Sequence, residues 1–165
     1  MPVPNWGGKF IDAGLVAPLD REAADNYADV YDRFKGIVRE QMSDGSGRVY
    51  GLPTRFGWYG YSYDSRSLPE DHEKSYEVLF SEEYAGVDLT GRTIVYDGMF
   101  KAMAMTAMYL GYHDAFSGTT VELTGDRLQN VKEALIEQKR IGGGYISADS
   151  TYIKSFRQGN HVIGN

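Results

Sequence analysis

With 165 residues, 42% of them apolar and 24% charged, the chain suits one ordinary globular domain with a real core, and neither disorder nor a fibrous repeat fits. A net charge of −6 and a pI near 5.0, with the basic residues scattered, argue against nucleic acid as a partner. The chain has no cysteine, so disulfides, thiolate nucleophiles and Cys-bound zinc are excluded while the compartment stays undecided.

Met1 to Trp6 carries neither a basic n-region nor an apolar h-region, so no signal peptide is visible. The longest uncharged stretch, Ala102 to Tyr112, falls well short of the roughly 20 apolar residues of a membrane span. Trp6, Phe10 and Ile11 share a helical face that Gly14 stops, with Leu15 and Val16 as its exit. From Asp20, the spacing of Tyr27, Val30, Tyr31, Phe34 and Val38 predicts an amphipathic helix; Gly36 weakens it by about 1 kcal/mol relative to Ala. Ser43 to Gly47 is a turn cluster, and Arg48 to Pro53 reads as extended. Phe56 to Tyr63 holds five aromatics and two glycines, a composition that predicts a strand close to other backbone or to a ligand.

Beyond a polar loop with Pro69, a helix is predicted around Ser75 to Tyr84. Arg92 to Asp97 is a short β-branched run of the kind found in buried parallel strands, and Gly98 ends it. Met99 to Tyr109 forms a helix closed by Gly111. Thr124 is placed to cap a helix through Arg140, in which Leu128, Val131, Leu135 and Ile136 keep helical spacing; Gly142-Gly143-Gly144 stops it. Tyr145 to Ser147, a helix from about Asp149 to Arg157, and His161 to Ile163 complete a βα alternation. The second half is therefore α/β with a mostly parallel sheet.

Several phrases stand in a telling order: Phe10 to Asp20 (FIDAGLVAPLD), Val49 to Pro53 (VYGLP), Phe56-Gly57, Tyr61 to Asp64, Glu77 to Phe80, Tyr84-Ala85-Gly86, Thr93 to Asp97, Leu110-Gly111-Tyr112 and Gly159 to Gly164. Together they resemble bacterial extracellular solute-binding proteins of the spermidine/putrescine type, the component that hands a small ligand to an ABC transporter. The resemblance covers nearly the whole chain from about Trp6. It implies a periplasmic-binding-protein-like lobe of α/β architecture over residues 63–165, a hinge-like segment at 53–62, and a helical remnant of the other lobe at 1–52. Family members are two-lobed and much longer, so an interior fragment is expected. By the same resemblance the ligand is a small organic solute held between lobes, the intact protein's partner is an ABC permease, and the location is periplasmic or extracellular. Trp6, Phe10, Tyr27 and Phe34, deprived of a first-lobe sheet, would then drive self-association.

Asp97-Gly98 lies where a parallel strand ends and a helix begins, the place where open α/β sheets receive ligands. Asp97 either accepts a ligand amine or caps the helix. Lys101 either favours an anion beside the helix N-terminus or is a solvated lysine. The polyamine binders, as the resemblance aligns them, place carboxylates where this chain has Gly98 and Lys101, so an anionic or zwitterionic ligand is expected in preference to a polyamine. Arg55, Phe56, Trp58 and Tyr59 offer a cation and aromatic walls, with core packing the alternative for each ring.

Met99, Met103, Met105 and Met108 read as a buried helix surface and not a soft-metal site. His72, His113 and His161 have no metal spacing and read as surface or loop histidines. Gly60-Tyr61-Ser62-Tyr63-Asp64 lacks the last glycine of a nucleophile elbow, and Gly45-Ser46-Gly47 lacks the lysine of a phosphate loop. No cofactor and no metal is thus implied, and the leading expectation is solute binding without catalysis. A small stand-alone α/β enzyme using Asp97 or Ser62, and a captured fragment serving as an interaction module, are the alternatives.

Overall fold

The computed structural model describes residues 6–20, 26–55, 57, 59–117 and 120–165. The chain divides into two compact units, residues 1–57 with 118–120, and residues 58–117 with 121–165. Each is described on its own.

In the first unit, α1 (Gly7–Asp12) ends as expected at Gly14, whose φ of +66° only glycine adopts cheaply. Its first residue is glycine for another reason: a Cβ at Gly7 would run into the Gln41 carbonyl and the Met42 sulfur. The second helix, α2 (Asp32–Gln41), starts well after Asp20. Residues 26–31 form turns instead, because Lys35 reaches back to donate to the Ala28 carbonyl at 3.0 Å and lies over the Tyr27 ring, bending the chain upon itself. Val38, Met42 and Val49 form a small core with Tyr50 packed on it. The intervening turn is organised by Asp44, whose carboxylate accepts from the Ser46 amide and hydroxyl, the Arg48 guanidinium and the Tyr50 hydroxyl. These donors hold its pKa far below the usual carboxylate range, the Ser46 hydroxyl foremost.

The second unit is built on a sheet of order β1-β8-β4-β7, comprising β1 (Ser62–Tyr63), β4 (Thr93–Tyr96), β7 (Gly144–Ile146) and β8 (Ile163–Gly164). β4 pairs in parallel with both β7 and β8, while β1 runs antiparallel to β8, so the sheet is α/β and mostly parallel. Thr93, Ile94 and Val95 are all buried, the two-faced burial that a continuous β-branched run predicts. Side chains alternate across the sheet. Val95, Tyr145, Tyr63 and Ile163 face a core completed by Leu68, Val78, Leu79, Leu89, Met105 and Val162. Ile94 and Gly164 face the other way, against Tyr152 of α5 (Asp149–Arg157).

Of the predicted strand from Phe56 to Tyr63, only Ser62 and Tyr63 pair; Phe56 and Trp58 lie outside the described residues. The predicted helix over Ser75 to Tyr84 is corrected to a single 3-10 turn, Tyr76–Leu79, followed by a hairpin of β2 (Glu83–Tyr84) and β3 (Val87–Asp88). The Ser75 hydroxyl, accepting from the Glu77 amide, starts the turn, and the Ser81 hydroxyl donates to the Glu77 carbonyl and closes it. Ala85 and Gly86 then both take positive φ, +50° and +75°, the geometry of a two-residue hairpin turn.

The helix α3 (Met99–Tyr109) has the bounds its sequence predicts, with Gly111 at φ +76° behind it. A 3-10 turn (His113–Ala115), the two-stranded ladder of β5 (Phe116–Ser117) and β6 (Thr120–Val121), and α4 (Gly125–Ile141) follow. Ala107, Ala115, Leu123 and Val131 join them in a second core. Thr124 sits at the N-cap of α4 without a side-chain capping bond. Among the methionines of α3, Met105 is buried and Met103 and Met108 are half-buried, but Met99 is 73% exposed. The packing expectation therefore fails for Met99, which lies on the first turn ahead of the buried stretch Ala104–Ala107.

His72 is also a correction, being buried where a surface histidine was expected. Its Nδ1 lies 2.5 Å from the Pro69 carbonyl and its Nε2 is 2.9 Å from the Tyr61 hydroxyl, with Tyr63 and Tyr84 edge-on around the ring. A carbonyl only accepts, so Nδ1 carries the proton and Nε2 accepts from Tyr61. His113 is exposed, and His161 is half-buried.

Candidate functional site

The end of β4 and the start of α3 bring three of the expected residues together. Asp97 keeps strand pairing, its amide donating to the Ile146 carbonyl, and its side chain is exposed. It does not cap α3: Gly98 occupies that position with an extended backbone and no side-chain bond. The ladder holds Asp97 back in the sheet, so the capping role falls to a residue without a side chain.

Lys101 lies in the first turn of α3, and helical side chains lean toward the N-terminus. Its stem passes Gly98, where an added Cβ would sit in ordinary contact, 3.8 Å from the Tyr96 ring and 3.9 Å from the lysine stem. Its ammonium then rests 4.0 Å from the centroid of Tyr96 and 5.4 Å from that of Tyr59. Such cation–aromatic contacts contribute about 0.5–1 kcal/mol when exposed and about 2 kcal/mol when desolvated. Among the described residues Lys101 forms no ion pair.

Tyr59 is 59% exposed. Its ring lies 6.2 Å from Phe100, and its carbonyl accepts from the Tyr76 hydroxyl at 3.1 Å, which fixes the backbone beside the cluster. Tyr96 is anchored at its own far end, the hydroxyl donating to the Ser147 carbonyl. The result is a shallow aromatic surface with a cation laid across it, an exposed carboxylate one residue away and the unpaired first amides of α3 beside it. It can stack a flat or apolar group, accept a hydrogen bond at Asp97 and attract negative charge at the helix start.

Tyr96, Phe100 and Tyr76 were not singled out from the sequence. Tyr96 directly precedes Asp97 at a strand end, and strand alternation puts its ring on the face opposite the buried Val95. Arg55 is exposed in the first unit. Ser62 pairs with Gly164 on the face of the sheet that Tyr152 of α5 covers. Asp64 is held at a pKa of about 2 by Arg66, which forks onto its carboxylate at 2.7 and 2.9 Å.

Two open grooves are present. One of about 440 Å³ in the first unit is lined by Pro18, Leu19, Asp20, Tyr27, Arg48 and Val49 among others. The other, of about 350 Å³ in the second unit, runs between the Ile94 face of the sheet and α5, where Lys154, Gln158, Asn160 and His161 line it. Among the described residues no three His, Asp or Glu side chains gather as a metal site, and no helix is long and apolar enough to cross a membrane.

No protein-family model matches the chain, and no characterised protein matches it by sequence. Solved structures do match its fold. The TpPotD lipoprotein of Treponema pallidum aligns with a TM-score of 0.72 at 18% identity over 99% of this chain and 46% of its own. The spermidine/putrescine ABC transporter substrate-binding protein PotD of Streptococcus pneumoniae aligns at 0.63 with 14% identity, over 98% and 44%. A putative spermidine/putrescine ABC transporter from Listeria monocytogenes aligns at 0.61 with 19% identity, over 98% and 44%. The chain thus has the periplasmic-binding-protein fold of these structures and spans under half of their length.

Proposed function

We propose that the chain is the solute-binding component of an ABC importer, or a portion of one, and that it holds a small organic solute at the β4–α3 junction without catalysis. The observation that carries this is the convergence of Tyr59, Tyr96, Asp97, Gly98 and Lys101 where the central parallel strand gives way to a helix. The fold likeness to solute-binding proteins supports the same reading. Residues 1–52 belong, in this reading, to the first lobe, 53–62 to a hinge-like segment and 63–165 to the second lobe. Arg55, Phe56 and Trp58 would add cation and aromatic walls. An ABC permease is the partner of the intact protein, and its location is periplasmic or extracellular.

The preferred ligand is anionic or zwitterionic. A polyamine needs paired acceptors once desolvated, and this cluster offers one exposed carboxylate beside a lysine and a helix start. Equilibrium dialysis against a mixed metabolite pool, read by mass spectrometry, tests the reading. One solute retained by the unaltered chain and released on Tyr59→Ala or Asp97→Ala is the expected result; retention of nothing, or retention indifferent to both substitutions, overturns it. Micromolar spermidine or putrescine binding in calorimetry would overturn the charge preference alone. Self-association through the first unit is a further part of this reading: of the aromatics expected to drive it Trp6 is exposed and Phe10, Tyr27 and Phe34 are half-buried, while Leu15 and Tyr31 add exposed apolar surface; a monodisperse monomer by light scattering at tens of micromolar would remove it.

A further inference from the structure

We propose that Lys101 is a tethered occupant of an aromatic cation seat made by Tyr96 and Tyr59, and that it sets the charge specificity of the β4–α3 site by keeping free organic cations out of that seat. Two tyrosine faces share one ammonium, at 4.0 and 5.4 Å from their centroids. The Tyr96 ring is held independently of the lysine, through its hydroxyl on Ser147, and the backbone of Tyr59 through its carbonyl on Tyr76. The Tyr96 face of the seat therefore persists when the lysine is removed.

The lysine is also in an electrostatically unfavourable place. It sits in the first turn of α3, at the positive end of the helix, and that turn has no acidic residue to offset it. Asp97 is adjacent but does not pair with it. A solvated lysine would extend away from the helix start. This one folds back past Gly98 and lays its charge on the rings. A free alkylammonium approaching the same faces meets an occupied seat and a like charge. An anion meets that charge together with the open amides of the first turn.

The inference rests on the reading of this junction as the solute site, and the two fail separately: the dialysis above judges the site, whereas the following titration judges only the seat. Tetramethylammonium chloride is titrated into the full chain, followed by the ring resonances of Tyr96 and Tyr59, with sodium chloride at equal ionic strength as the control. Lys101→Ala is expected to bind the probe at least about tenfold more tightly than the unaltered chain, a difference of about 1.4 kcal/mol, and Lys101→Ala/Tyr96→Leu to lose the gain. Lys101→Arg keeps a cation on the rings and is expected to behave like the unaltered chain. Equal affinities for the unaltered and Lys101→Ala chains, or a gain that survives Tyr96→Leu, overturn the proposal. A second measurement needs no lysine variant: ring currents are expected to move the Lys101 Hε resonances upfield of the other lysines, and Tyr96→Leu to return them. Unshifted Hε resonances in the unaltered chain overturn the proposal as well.

Discussion

The Tyr145 hydroxyl donates to Oε1 of Gln138 at 2.6 Å, joining the edge strand β7 to α4, and leaves the buried Nε2 of the same amide without a partner among the described residues. Gln138 is thus half satisfied in a site that admits almost no water. Burial, with a smaller contribution from the charge of Asp97, pushes the Tyr145 phenol above its usual pKa. Tyr145→Phe removes the one bond to the buried amide found among the described residues, with an expected cost of about 1–2 kcal/mol, and Gln138→Leu takes the partner from the phenol at a similar cost. Combining them removes both polar partners. The double variant is expected to lose at least about 0.5 kcal/mol less than the two single losses together. Urea unfolding of the four chains measures this, and strictly additive losses would show that the bond contributes nothing.

Gly143 directly precedes β7, and its amide donates to the Thr93 carbonyl at 2.6 Å. A Cβ there would strike the Gly91 carbonyl and come within 2.6 Å of the His161 Nε2. The first obstacle is backbone, which cannot swing aside as a side-chain tip does. Gly143→Ala is therefore expected to destabilise by about 1–3 kcal/mol, against a change near zero for Gly57→Ala, where nothing lies within 4 Å. Equal melting temperatures for the two variants would refute the close approach.

The helices Met99–Tyr109 and Asp149–Arg157 were legible to the residue, because each is a local pattern bounded by its own glycine or polar stop. β4 was legible for the related reason that four β-branched or aromatic residues in a row suit no other buried element. The segment from Ser75 to Tyr84 was not, since its apolar residues keep helical spacing while Ser75, Ser81 and the Ala85-Gly86 turn dictate a 3-10 turn and a hairpin. His72 was misplaced because its neighbours Tyr61, Tyr63 and Tyr84 meet it only through the fold. At the candidate site the strand-to-helix position exposed Asp97, Gly98 and Lys101 to sequence reasoning. Tyr96 escaped it, because its ring meets Lys101 and Ser147 only once the fold has brought those elements together.

Ala85 holds φ +50° in the β2–β3 turn, and it is the one non-glycine residue with positive φ among the described residues. An L side chain in that region costs about 1–2 kcal/mol, which glycine avoids while entering the folded state from a freer unfolded chain. No packing is lost, because Ala85 is exposed. Ala85→Gly is expected to raise stability by about 0.5–1 kcal/mol, and Ala85→Val to lower it. Thermal melts of the two variants decide; a destabilised Ala85→Gly would mean that the turn is not strained.

His161 lies at the N-terminal side of β8 with a buried Nδ1 that has no partner among the described residues. Desolvation lowers its pKa, and the bond to the Gly143 backbone only partly opposes this. The native state therefore prefers the neutral ring, whereas the unfolded chain takes up its proton near the ordinary value of 6.5. With the folded pKa below the unfolded one, the stabilising contribution is complete above pH 6.5 and is lost progressively as pH falls from there toward the folded value. Asp44 and Asp64 are also depressed, below the usual carboxylate range, and their contributions are lost only as pH falls from about 4 toward their folded values. The two windows are separable. Urea midpoints measured from pH 8 to pH 5 are expected to fall in the unaltered chain and to stay flatter in His161→Gln, which cannot charge. Identical slopes for the two chains across pH 7 to 5 would show that His161 takes up its proton as readily folded as unfolded.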